Sequence, residues 1–116
     1  MSLLNETVGI LDRLIAFPTV SSDSNLELIV YASEFLEHHG FRTTVSRDDT
    51  GKKANLFATL GPDAPDGIVL SGHTDVVPAD PEDWTSDPFR LRQEGDLLFG
   101  RGTCDMKGFI ATVLAM

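Results

Sequence analysis

At 116 residues the chain is long enough for one small domain with one core. Its 41% hydrophobic and 23% charged residues make a globular mix rather than a disordered one. A net charge of -9 argues against nucleic acid or an anionic membrane as partner, and a single cysteine, Cys104, rules out an internal disulfide and suits a reducing compartment. No stretch is apolar and long enough to span a bilayer, and no charged segment leads into an apolar one at the N-terminus. The expectation is a soluble, cytoplasmic protein.

Leu4, Val8, Leu11, Leu14 and Ile15 recur at helical spacing, with Asn5 or Thr7 as candidate caps and Pro18 as the stop. A polar loop over 19–25 follows, and Asn25 is a candidate cap for a second helix marked by Leu28, Ala32, Phe35, Leu36 and His39. Gly40 suits the end of that helix. Residues 41–47 and 55–60 read as strands joined by a charged turn, which carries the adjacent carboxylates Asp48 and Asp49 as solvated surface. The continuous apolar run 67–72 reads as a buried central strand. A proline-rich loop over 78–88 carries Trp84, which with Pro88 and Phe89 is expected to pin the loop over the sheet edge. Residues 89–92 and 97–99 form a candidate hairpin through Glu94-Gly95-Asp96. A last helix runs from near Met106 to Met116, and its apolar, uncapped end points to a truncated chain. The pattern predicts an α/β fold, a layered sheet with flanking helices.

Two stretches carry chemistry. His73 and Asp75 stand two residues apart just beyond the apolar run 67–72, at the rim where α/β sheets bind ligands. Alternate residues of an extended chain face the same way, so both can address one site. His73 can ligate a metal; Asp75 can ligate too, or hydrogen-bond the far side of the imidazole. Each has an ordinary structural reading as well, as a hydrogen-bonding residue at a strand end. Asp105 follows Gly100-Arg101-Gly102 and precedes the last helix, where it reads as a ligand or as a plain helix cap. Histidine and carboxylate donors suit zinc, manganese or cobalt better than an iron–sulfur cluster. Arg101 and Lys107 flank Asp105 and are assigned to holding a carboxylate or carbonyl, most simply in a salt bridge. Cys104 is expected to be a small buried thiol. His38 and His39 are assigned to the helix end.

Three ordered motifs then give a specific resemblance: Ser71-Gly72-His73-Thr74-Asp75-Val76-Val77-Pro78, Trp84-Thr85-Ser86-Asp87-Pro88-Phe89, and Leu98-Phe99-Gly100-Arg101-Gly102-Thr103-Cys104-Asp105-Met106-Lys107-Gly108. Together they resemble the N-terminal part of the M20 family of dinuclear zinc amidohydrolases and peptidases, over essentially the whole chain. Within that family Pro18-Thr19-Val20-Ser21 and Ser24-Asn25-Leu26-Glu27-Leu28-Ile29 resemble the acetylornithine deacetylases, with the succinyl-diaminopimelate desuccinylases close behind.

The resemblance implies that residues 1–116 are the first portion of a zinc-exopeptidase-like catalytic domain, without its second half or the smaller lid domain. His73 would ligate one zinc, Asp105 would bridge two, and Asp75 would orient His73 as part of the catalytic machinery. The peptide after Asp105 would be cis. Two zinc ions, or cobalt, would activate water for hydrolysis of an N-acylated amino acid such as N-acetyl-ornithine, and the parent would be a homodimer. A desuccinylase, a related dipeptidase or a non-catalytic metal-binding module remain the alternatives. The family's general base, a glutamate in an adjacent pair well downstream of the bridging aspartate, has no counterpart here, so the isolated chain is expected to be inactive.

Overall fold

The computed structural model describes residues 2–116, which form two compact units: 2–23 with 72–116, and 24–71. In the first, helix α1 (Leu3–Ala16) buries Ile10, Leu11, Leu14 and Ile15. Its cap is Ser2 rather than Asn5 or Thr7: the Ser2 hydroxyl accepts the Asn5 N–H at 3.2 Å. Capping satisfies one of the free N–H groups of the first turn, and only the residue just outside the helix has the extended backbone to do it. Ahead of Pro18 the backbone turns extended at Phe17, as proline requires.

Helix α1 packs on the last helix, here α3 (Gly108–Ala115), where Ala111 is fully buried. The helix begins two residues later than the predicted start near Met106. Residues 103–107 instead wind through a turn with non-helical backbone at Asp105 and Met106. The same unit holds a short antiparallel hairpin that pairs Arg92 with Phe99 and Glu94 with Leu97. Gly95 takes φ +57 at its turn, and the Arg92 guanidinium lies 4.3 Å from the centre of the Phe99 ring.

In the second unit, helix α2 (Leu26–His38) buries Leu28, Ile29 and Ala32 against an antiparallel hairpin of β1 (Arg42–Arg47) and β2 (Ala54–Thr59). The strands of the other hairpin are thus β3 (Arg92–Glu94) and β4 (Leu97–Phe99). Asn25 stands at the start of α2 but makes no side-chain cap there. Its amide clamps Ala54 of β2, donating to the Ala54 carbonyl and accepting from the Ala54 N–H, both at 2.9 Å. The Ser24 hydroxyl accepts the Leu26 N–H in its place. Asp48 organises the β1–β2 turn. It accepts from Thr50 at 2.7 Å and from the Lys53 N–H, and these bonds, led by the Thr50 hydroxyl, hold its pKa below the usual 3.8.

The expected central strand over 67–72 does not form. The segment makes no strand pairing among the described residues, and Ile68 and Val69 are 90% and 82% exposed. A strand requires neighbours to take its N–H and C=O groups; an apolar run can signal a strand, but it does not supply that partner. Among the described residues, three α-helices, a short 3-10 turn over Pro81–Asp83 and two small antiparallel hairpins make the mixed α/β architecture.

Candidate metal centre

The two motif stretches meet in the first unit. Residues 19–21 run parallel to 74–76: the Val76 N–H donates to the Thr19 carbonyl at 2.9 Å, the Ser21 N–H donates to the Val76 carbonyl at 3.0 Å, and the buried Thr19 hydroxyl donates to the Thr74 carbonyl at 2.6 Å. This pairing fixes the loop that carries His73 and Asp75.

On the other side, glycines let the 100–108 turn close in. Gly102 has φ +95, and a Cβ there would lie 2.7 Å from Val76 Cγ1, so the turn presses directly on the loop. Gly72 lies against Met106, whose sulfur accepts the His73 N–H at 3.4 Å. The peptide between Asp105 and Met106 is cis.

Lys107 fastens this turn to α1. Its side chain is fully buried, and its ammonium donates to the Leu14 and Phe17 carbonyls at 2.8 and 2.7 Å. These carbonyls close α1, the end of the helix dipole that favours a cation. Burial lowers the Lys107 pKa to about 8. Of the two roles expected for Lys107, holding a carbonyl is the one formed; no salt bridge to it is recorded among the described residues. Lys107→Met keeps the packed stem and removes both bonds. It is expected to lose about 1–3 kcal/mol of stability, read as a lower urea midpoint at unchanged m-value.

Arg101 donates its backbone N–H to the Pro88 carbonyl at 2.7 Å and sets its guanidinium 5.2 Å from the Trp84 ring centre. The 78–88 loop is thereby tied to the metal-motif turn. Cys104 is exposed, not buried as expected, because the turn directs it outward. His39 stacks on Phe35 at 4.6 Å between ring centres and bonds the Phe35 carbonyl.

At the centre lie His73, Asp75 and Asp105. His73 Nδ1 faces two acceptors, the Asp75 backbone carbonyl at 3.0 Å and Asp75 Oδ1 at 3.1 Å. His73 Nε2 lies 3.0 Å from Asp105 Oδ1. The other oxygen of Asp75 accepts the Ser21 hydroxyl. These groups line a cleft of about 260 Å³ with Val76, Gly102 and Cys104. A larger groove of about 460 Å³ lies in the second unit between α2 and β1, but it contains no histidine and a single carboxylate, Glu34, so the chemistry belongs to the smaller cleft.

With two acceptors before it, Nδ1 is the natural donor of the ring. A neutral imidazole then directs the Nε2 lone pair at a carboxylate lone pair across 3.0 Å. That facing pair calls for a shared cation, either a proton or a metal ion. Proximity to Asp105 and Asp75 has the matching effect on titration. Some loss of water lowers the His73 pKa, but the bond to the Asp75 carbonyl and the two carboxylates outweigh it, leaving the ring above 6.5. The Ser21 hydroxyl, ahead of the imidazole charge, holds Asp75 below 3.8. Asp105→Asn removes one carboxylate and is expected to lower the His73 pKa, measured by NMR titration of the ring.

The donor set fits zinc or cobalt in part. Two ligands of a tetrahedral zinc stand roughly 3.3 Å apart, close to the observed separation. A hydrogen-bonded carboxylate behind the ligating imidazole is the usual arrangement. Among the described residues no group of three or more His, Cys, Asp or Glu side chains is placed to hold a metal; His73 and Asp105 offer two donors.

Comparison with known proteins agrees with the motif order. The family model described as peptidase family M20/M25/M40 matches residues 69–116. The acetylornithine deacetylase of Pasteurella multocida is 45% identical over 112 residues, covering 87% of this chain and 28% of the relative. That of Photorhabdus laumondii is 42% identical over 109 residues, and that of Buchnera aphidicola 39% over 113, covering 88% and 92% of this chain. Human carnosine dipeptidase 1 superimposes with a TM-score of 0.75 at 26% identity, over 95% of this chain and 28% of that one. The chain thus spans 28–29% of the length of these curated relatives. Motifs, sequence and fold agree in a resemblance of the chain to the M20 family of peptidases.

Proposed function

We propose that the chain is the first portion of the catalytic domain of a metal-dependent hydrolase, and that the whole protein cleaves an N-acylated amino acid, N-acetyl-ornithine first among candidates, to the free amine and the carboxylate. The observation that carries this reading is the 3.0 Å approach of His73 Nε2 to Asp105 Oδ1, with Asp75 on the other side of the ring. In it His73 and Asp105 would hold zinc or cobalt. Bound metal supplies a Lewis acid that polarises the scissile carbonyl and lowers the pKa of water. Asp75 would act through the ring: its carboxylate accepts a hydrogen bond from Nδ1–H, which keeps the Nε2 lone pair available and raises its basicity. The remaining ligands and the general base would come from the rest of the whole protein, as would the surfaces of a dimer.

Identity of 39–45% to acetylornithine deacetylases over most of the chain supports the deacetylase reading. The likeness to carnosine dipeptidase keeps a dipeptide substrate as the second reading. The expected result is no turnover of N-acetyl-ornithine by the 116-residue chain with zinc or cobalt, and turnover by the whole protein. A missing base alone removes about 10²–10⁴-fold of rate. Turnover of a dipeptide but not of N-acetyl-ornithine by the whole protein would select the second reading.

A further inference from the structure

The geometry points to Ser21 as a positioning residue for His73: its hydroxyl holds the Asp75 carboxylate in the one orientation that presents Oδ1 to the imidazole. This rests on the metal-ligand reading of His73 given above and extends it by one residue.

A carboxylate has two equivalent ends and rotates readily unless both are engaged. Here Oδ2 takes the Ser21 hydroxyl and Oδ1 takes His73 Nδ1. Ser21 itself has little freedom, since its N–H is bound to the Val76 carbonyl at 3.0 Å beside the parallel Val20–Val76 pairing. A serine hydroxyl has one proton, and its second neighbour, the Val76 carbonyl at 3.4 Å, is the more distant acceptor. The proton therefore goes to Asp75. A line of contacts results, from Ser21 to Asp75 to His73 to Asp105, that starts on the 19–21 segment and ends at the facing lone pairs.

The consequence falls on the imidazole tautomer. A neutral His73 has two competing choices: its proton on Nδ1, directed at Asp75, or on Nε2, directed at Asp105. Only the first leaves Nε2 free for a metal. Ser21 biases the choice towards Nδ1 by holding Asp75 in place. Once that hold is lost, the Asp75 carboxylate turns away, Nδ1 keeps only the Asp75 backbone carbonyl as acceptor, and the share of ring with its proton on Nε2 rises.

The test is nitrogen NMR of the ring in the 116-residue chain, at a pH where His73 is neutral, for the wild type, Ser21→Ala and Ser21→Thr. Ser21 is exposed, so neither change disturbs the core. Ser21→Ala is expected to shift the tautomer ratio at least about twofold towards Nε2–H, and Ser21→Thr, which keeps the hydroxyl, to restore it. Zinc alone, titrated by calorimetry, should bind the alanine variant about 3–10-fold more weakly, below the range seen when a direct partner is removed. An unchanged ratio, or a shift towards Nδ1–H, overturns the assignment. So does a shift that appears only together with lost exchange protection of the Val76 N–H, since the loop rather than the hydroxyl would then be responsible. If the wild type binds no zinc, the metal reading fails while the tautomer comparison still decides the role of Ser21.

Discussion

Gly108→Ala is expected to destabilise the chain by about 3 kcal/mol or more. Gly108 opens α3 with ordinary helical angles, φ -61 and ψ -42, so propensity alone predicts the opposite sign. Alanine in a helix is favoured over glycine by about 1 kcal/mol. The turn before it decides the matter. A Cβ at 108 would lie 2.3 Å from the Thr103 carbonyl oxygen, a backbone atom that cannot rotate away. To relieve the contact, residues 103–107 must move, and they carry Asp105 and Lys107. Urea unfolding reads the effect. A neutral or stabilising alanine would mean that the turn has slack, and the placement of Asp105 would lose its support.

In the whole protein the site residues should separate by role. On the proposed reading, His73→Ala removes a metal donor and is expected to lower kcat for amide hydrolysis on the order of 10³-fold or more. Asp75→Asn keeps the shape but presents a weaker acceptor, or an N–H, to Nδ1. It is expected to lower metal affinity or activity by about 10–100-fold. Steady-state kinetics with saturating zinc distinguishes the two, since excess metal should recover part of the Asp75→Asn loss and little of the His73→Ala loss. Equal losses would place Asp75 among the direct ligands.

Much of this was legible in the sequence where the signals are local. Helical spacing and Pro18 marked α1, Gly40 closed α2 at φ +88, and the runs 41–47 and 55–60 on either side of a charged turn marked β1 and β2. Ser2 was overlooked as a cap because Asn5 and Thr7 are equally good capping types and lie closer to the periodic residues. The run 67–72 misled because an apolar pattern does not reveal whether a pairing strand exists. A buried Lys107 is hard to anticipate, since lysine is almost never fully buried, and only the fold reveals the carbonyls that end α1. The Ser21 contact with Asp75 spans 54 residues and leaves no local trace. By contrast, His73, Asp75 and Asp105 stand out in the sequence by residue type and glycine flanks, and the structure brings the three side chains together.

The most direct test of the central claim, that His73 and Asp105 share a cation, is a zinc titration of the histidine-labelled chain followed by nitrogen NMR. The account predicts that zinc moves the His73 Nε2 resonance first, ahead of His38 and His39, and that Asp105→Ala weakens this binding at least about tenfold. Zinc binding at His38 and His39 with His73 untouched, or binding at His73 that is indifferent to Asp105, would contradict it.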